Sequence, residues 1–70
     1  MILSEIDKKI LELLKKAEKP LSTYQIAKKT NITWPTANSH CYKLKSLGLI
    51  KNKSEESKFG LREKIVWWTK

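Results

Sequence analysis

The segment from Pro20 to Ile50 constrains this chain most: it holds two short helical patterns separated by a few turn residues, and no acidic residue falls inside it. Ser22 and Gln25 stand three apart, the spacing at which a hydroxyl and an amide side chain cap each other's backbone N–H groups at a helix start. Ile26 and Ala27 then face inward and Lys28 and Lys29 outward. Thr30-Asn31-Ile32-Thr33 supplies the turn. Asn31 tolerates the left-handed backbone conformation, Ile32 can plug the space between the helices, and Thr33 can cap the next one. Pro35 falls in the first turn of that helix, where a missing amide donor costs nothing. Ala37, Cys41, Leu44 and Leu47 recur at four- and three-residue spacing before Gly48 ends the run. Small Ala27 and Ala37 let the two helices approach closely.

Ahead of this segment Ser4 opens an amphipathic helix, with Glu5 and Asp7 where the positive end of the helix dipole favours carboxylates. Ile6, Ile10, Leu13, Leu14 and Ala17 share its inner face, and Pro20 stops it. Beyond Gly48 the period changes. Leu49 to Lys53 and Lys64 to Thr69 read as extended, the second strongly because Ile65, Val66, Trp67, Trp68 and Thr69 are all β-formers. Ser54 to Gly60 is polar and rich in turn residues, so the pair predicts an antiparallel hairpin with a long flexible tip. Trp67 and Trp68 must point to opposite faces of a regular strand: one completes the core and the other is exposed or covered by a partner. With 70 residues and no repeat or linker, residues 1–70 form a single domain with one modest core.

The formal charge of +8 is unevenly spread, with +1 on residues 1–19, +4 on 20–50 and +3 on 51–70. A cationic excess concentrated after the first helix is the electrostatic footprint of a surface that meets a polyanion. The single Cys41 lies in an apolar helical pattern and is expected as a buried, reduced thiol. No apolar run approaches the roughly 20 residues needed to span a bilayer, and Glu5 and Asp7 break any signal-peptide pattern, so a soluble, cytoplasmic protein with no membrane contact is expected.

Helix, helix, turn, helix, hairpin is the order, and its residues are Leu21-Ser22, Ile26-Ala27, Asn31-Ile32-Thr33, Ala37, Cys41, Leu44 and Leu47-Gly48-Leu49-Ile50. In these the chain resembles the winged helix-turn-helix transcriptional regulators, including MarR-like and ArsR-like proteins of bacteria and archaea. The resemblance covers nearly the whole chain and implies an α+β, mainly α fold: three helices followed by a two-stranded β-hairpin wing. It also implies double-stranded DNA as partner, bound by a homodimer with the third helix in the major groove and the wing along the backbone or minor groove. Full-length relatives commonly add helices for dimerisation or effector binding; this chain has room for neither, and no small-molecule effector is evident. Trp34-Pro35 departs from the Ser, Arg or other polar residues often found at that corner.

If the third helix docks so, its outward face presents Trp34, Thr36, Asn38, Ser39, Tyr42 and Lys43. Asn38 suits bidentate pairing with adenine, Thr36 a base or thymine methyl, and Lys43 a guanine edge or a phosphate. Trp34 either fills space against the second helix or wing, or lies over sugar and phosphate. Ser22, Thr23 and Tyr24 place amides, hydroxyls and a phenol where a phosphate can bind, extended by Lys28 and Lys29. In the wing Lys53, Lys58 and Arg62 are expected along the backbone. His40 is expected as a partly buried packing residue, and with Cys41 it cannot make a zinc site, which needs about four ligands. The outer tryptophan, with Met1, Ile2 and Leu3, offers a dimer interface; the alternative is a monomer whose amino terminus folds over that ring.

A DNA-binding regulator, most simply a repressor, is the leading expectation. A winged-helix interaction module of the transcription or replication machinery, and a non-specific or RNA-binding protein, are the alternatives. The sequence offers no paired acids in a cleft, no glycine-rich phosphate loop and no metal-ligand cluster, so neither an enzyme nor a cofactor is expected.

Overall fold

The computed structural model describes residues 3–56 and 63–69. Its elements run α1 (Glu5–Lys16), β1 (Leu21–Ser22), α2 (Thr23–Thr30), α3 (Trp34–Ser46), β2 (Lys51–Glu56) and β3 (Glu63–Trp68). This is the expected α+β architecture, mainly helical, with one strand more than the hairpin predicted.

Local chemistry sets most of the helix ends. Ser4 and Asp7 cap α1 reciprocally: Asp7 N donates to Ser4 Oγ at 3.1 Å and Ser4 N to Asp7 Oδ2 at 2.9 Å. Ser22 and Gln25 repeat the exchange at α2, at 3.1 and 2.9 Å. Thr33 caps α3 and Pro35 sits in its first turn. Helix α1 ends at Ala17, ahead of Pro20, where the chain turns to an extended conformation. Two helices close with one motif, a residue of positive φ flanked by backfolded amides. After α2 it is Asn31 (φ 60), with Ile32 N donating to Ala27 O at 3.0 Å; after α3 it is Gly48 (φ 78), with Leu49 N donating to Leu44 O at 3.0 Å.

Ile10, Leu14, Leu21, Ile26, Ala27, Ala37, Cys41, Leu44, Ile50 and Trp67 form one core, joined at its margin by Leu3, Ile6, Leu11, Leu13, Ala17, Ile32 and Ile65. Every inward residue assigned to α3 by periodicity is there except Leu47, which is only half-buried. Burial raises the Cys41 thiol to about 12, so it stays protonated and unreactive at neutral pH.

The sheet is antiparallel with strand order β1-β3-β2. Leu21 and Ser22 pair with Trp67 and Val66, a two-residue strand too short to carry any periodicity. Strand β2 also differs from expectation: it starts at Lys51, because Ile50 is drawn into the core, and it runs on through Ser54 and Glu55, opposite Ile65 and Lys64, to Glu56. Ladder hydrogen bonds need no apolar side chains on β2 when β3 supplies them. The expected flexible tip is thereby shortened, and its remainder lies outside the described residues, as do Met1, Ile2, Lys58 and Arg62. Trp67 is fully buried and Trp68 half-buried, the division that strand alternation required.

Candidate nucleic-acid interface

Helical periodicity divides the surface of α3 into a crest, formed by Pro35, Ser39 and Ser46, and two flanks. Thr36, His40 and Lys43 occupy one flank. Trp34, Asn38 and Tyr42, at four-residue intervals, occupy the other.

The first flank is tied to α1 by a carboxylate. Asp7 has no solvent exposure, and its Oδ1 accepts from His40 Nδ1 at 2.7 Å while Oδ2 accepts from Lys43 Nζ at 2.7 Å and from Ser4 N. Burial alone would raise this carboxyl, but the hydrogen bonds from Lys43, His40 and Ser4 together outweigh it and hold Asp7 well below its ordinary value of 3.8. An ionised carboxylate only accepts, so Nδ1 of His40 carries the proton toward Asp7. By sequence Asp7 is a dipole partner of α1 and His40 a packing residue; nothing local signals either contact, since 33 and 36 residues separate the partners.

The second flank rests on the wing through aromatic rings. Trp67 Nε1 donates to Thr23 Oγ1 at 2.8 Å, and the Tyr42 ring meets the Trp67 ring edge-on, with centroids 5.0 Å apart and planes at 88°. One buried indole thus joins β3, the first residue of α2 and the middle of α3. On this flank Asn38 Oδ1 is shut off from solvent without a hydrogen-bond partner among the described residues. An orphaned acceptor of this kind costs about 1–3 kcal/mol.

Exposed cations lie on α3 and on the elements packed with it: Lys45 on α3, Lys28 and Lys29 on α2, Lys51 and Lys53 on β2, with Lys29 and Lys53 turned toward α1, where they line grooves with Leu13 and with Leu14 and Ala17. Lys28 lies 5.6 Å from the centre of the Tyr24 ring, which is itself exposed. The sequence model of the family described as winged helix-turn-helix DNA-binding matches residues 3–51 of this chain. The chain belongs to that family.

Among solved structures, this winged helix-turn-helix domain superposes on a "possible transcriptional regulator" from Methanosarcina mazei with a TM-score of 0.84 at 12% identity, over 97% of this chain and 57% of that one. It also superposes on transcriptional regulator PA4135 with a TM-score of 0.75 at 16% identity, over 97% of this chain and 47% of the other. At such identities the likeness is one of fold, and the domain spans well under two thirds of either protein. No curated protein matches the sequence.

The winged helix places the sequence-predicted residues unevenly. Trp34, Ser39, Tyr42, Tyr24 and Lys53 are exposed, and Thr36 and Asn38 are half-buried. Three assignments need correction. Ser22 and Thr23 are buried, with their hydroxyls accepting from Gln25 N and Trp67 Nε1, so both side chains are turned away from the surface. Lys43 does not extend freely from the helix; its ammonium is held by Asp7, although the side chain remains partly exposed. Thr36 accepts from the Thr33 hydroxyl at 2.8 Å, leaving its own hydroxyl proton to donate. Lys53 lies 3.9 Å from Glu55, a surface pair too exposed to hold it. Among the described residues no group of three metal-ligating side chains occurs, and no helix is long and apolar enough to cross a membrane.

Proposed function

We propose that this winged helix is a sequence-preferring regulator that binds double-stranded DNA, most simply a repressor that occupies a promoter, with α3 in the major groove and the β2–β3 wing along the backbone. The observation that carries this reading is the exposure of α3 away from its Ala37, Cys41 and Leu44 stripe, within a segment, Pro20 to Ile50, that holds Lys28, Lys29, Lys43 and Lys45 and no acidic residue. Helix α3 supplies base-reading side chains and the lysines supply phosphate contacts, which position without specifying. At the start of α2 the phosphate partners are backbone N–H groups of the first turn and the exposed Tyr24 phenol, since the side chains of Ser22 and Thr23 are buried. Lys58 and Arg62, outside the described residues, belong to the same proposal as phosphate contacts.

The test is duplex binding as a function of salt. Neutralising about six phosphates gives a logarithmic slope of about −5. Salt-independent binding would remove the reading, and a stoichiometric protein partner without a DNA footprint would favour an interaction module instead. A homodimer is part of the same proposal. Half-buried Trp68 lines a groove of about 370 Å³ with Leu14, Ala17 and Pro20, a partly apolar surface next to the wing. Sedimentation at micromolar concentration checks it, and selection of duplexes from a random pool shows whether the site is an inverted repeat.

A further inference from the structure

Resting on the docking of α3 just proposed, we infer that the flank Trp34-Asn38-Tyr42 is the specificity ridge of this domain, and that it reads an A·T-rich site as an adenine with thymine methyl groups on either side. Three observations lead there. The two aromatic residues are 49% and 42% exposed, so each presents ring surface to whatever enters beside α3. They stand four residues before and four after Asn38, on one helix flank, which spaces the three side chains by about 6 Å along the axis. Asn38 Oδ1, between them, has no hydrogen-bond partner among the described residues.

Each part has a counterpart in the major groove. Adenine offers there an N6–H donor beside an N7 acceptor, the pattern a side-chain amide satisfies with two hydrogen bonds. An acceptor that lacks a partner in the free protein gains one when Asn38 turns out to meet N6–H, so the free state is the one left wanting. Thymine is the base that projects a methyl group into this groove, and apolar ring surface is what such a methyl prefers over water. At about 6 Å from Asn38, against about 3.4 Å per base pair, Trp34 and Tyr42 reach positions one or two pairs to either side of the adenine.

The ridge is also held in place. Thr33 caps the helix immediately before Trp34, and Pro35 stiffens its first turn. Tyr42 is fixed edge-on against the buried Trp67 ring. On the opposite flank the Lys43 ammonium is engaged by Asp7, although its side chain stays 43% exposed, and the aromatic flank carries the exposed ring surface.

The probes are synthetic 20-base-pair duplexes with an all-A·T centre, the same duplexes with every thymine replaced by deoxyuridine, duplexes with an all-G·C centre, and the separated strands. The protein is expected to bind the thymine duplex at least tenfold more tightly than the G·C duplex, and to lose threefold to tenfold in affinity when the methyl groups are removed. Trp34→Ala, a substitution at an exposed site, reduces the thymine-to-uracil difference to the part carried by Tyr42. Asn38→Ala keeps that difference but loses preference for A·T over G·C. Equal binding of thymine and uracil duplexes by the unmodified protein overturns the ridge while leaving duplex binding intact, as does a Trp34→Ala variant that discriminates between them as fully as the parent. Tighter binding to single strands than to any duplex overturns both the ridge and the docking of α3.

Discussion

The two flanks of α3 are anchored by opposite kinds of chemistry. Toward α1 the anchor is a desolvated carboxylate that accepts from His40 and Lys43; toward the wing it is an indole that meets Tyr42 edge-on and donates to Thr23. The first is directional and charged, so it fixes orientation sharply, while its net stabilisation is limited by the cost of removing Asp7 from water. The second buries a large apolar surface with a single polar handle satisfied, and it dominates the energetics. Together they hold one helix from both sides. Stability therefore sits mainly on the wing flank, and sensitivity to pH mainly on the α1 flank.

Removing the indole tests the aromatic side. Trp67→Ala is expected to cost about 3–5 kcal/mol, leaving a cavity and a Thr23 hydroxyl without its donor, a loss large enough to unfold much of so small a fold. Trp67→Phe keeps a ring and separates the two contributions. Urea denaturation followed by circular dichroism measures both.

Next in size is the carboxylate. Asp7→Asn should cost roughly 2–3 kcal/mol, below the about 3–5 for breaking a fully buried pair, because His40 and Lys43 retain solvent access. The parent carries a signature that the variant lacks. With its folded-state value depressed, Asp7 contributes stabilisation that is fully present above 3.8 and is lost as the pH falls through that value toward the folded one. Thermal unfolding at pH 7, 5, 4 and 3 should show a steeper fall for the parent than for Asp7→Asn. Equal slopes would mean that the clamp is not formed in solution.

Smaller effects refine the contrast. Ser22→Ala removes a cap from the helix that the indole touches and should cost about 1 kcal/mol. Tyr42→Leu removes only the edge-on ring contact, worth about 0.5–1.5 kcal/mol, and leaves the acid dependence unchanged. A Tyr42→Leu variant with altered acid dependence would show that the flanks are coupled.

What was legible in the sequence is what chemistry decides within a few residues. The Ser22–Gln25 exchange, the left-handed Asn31, the Thr33 cap, Pro35, Gly48 and the inward stripe of α3 all follow from side chains acting on their own turn. The contacts that hold the interface together were not legible. Thr23 meets Trp67 across 44 residues, and Asp7 meets His40 and Lys43 across 33 and 36, so nothing in the neighbourhood of any partner announces the other. Strand β1 escaped for a related reason: two residues have no period, and only the edge of β3 makes them a strand. The same distance effect applies at Thr23 and Lys43: by sequence each is an available polar group, and in the fold each has a partner far along the chain.

Strand β1 has one more consequence. It stitches the innermost strand of the wing to the residues that open α2, with Ser22 belonging to both the sheet and the helix cap. The hairpin is thus no free-swinging arm. A displacement applied at its outer end must be transmitted through β3 to the root of the second helix, so the spacing between helix and wing is built in as a fixed gauge rather than adjusted on each encounter.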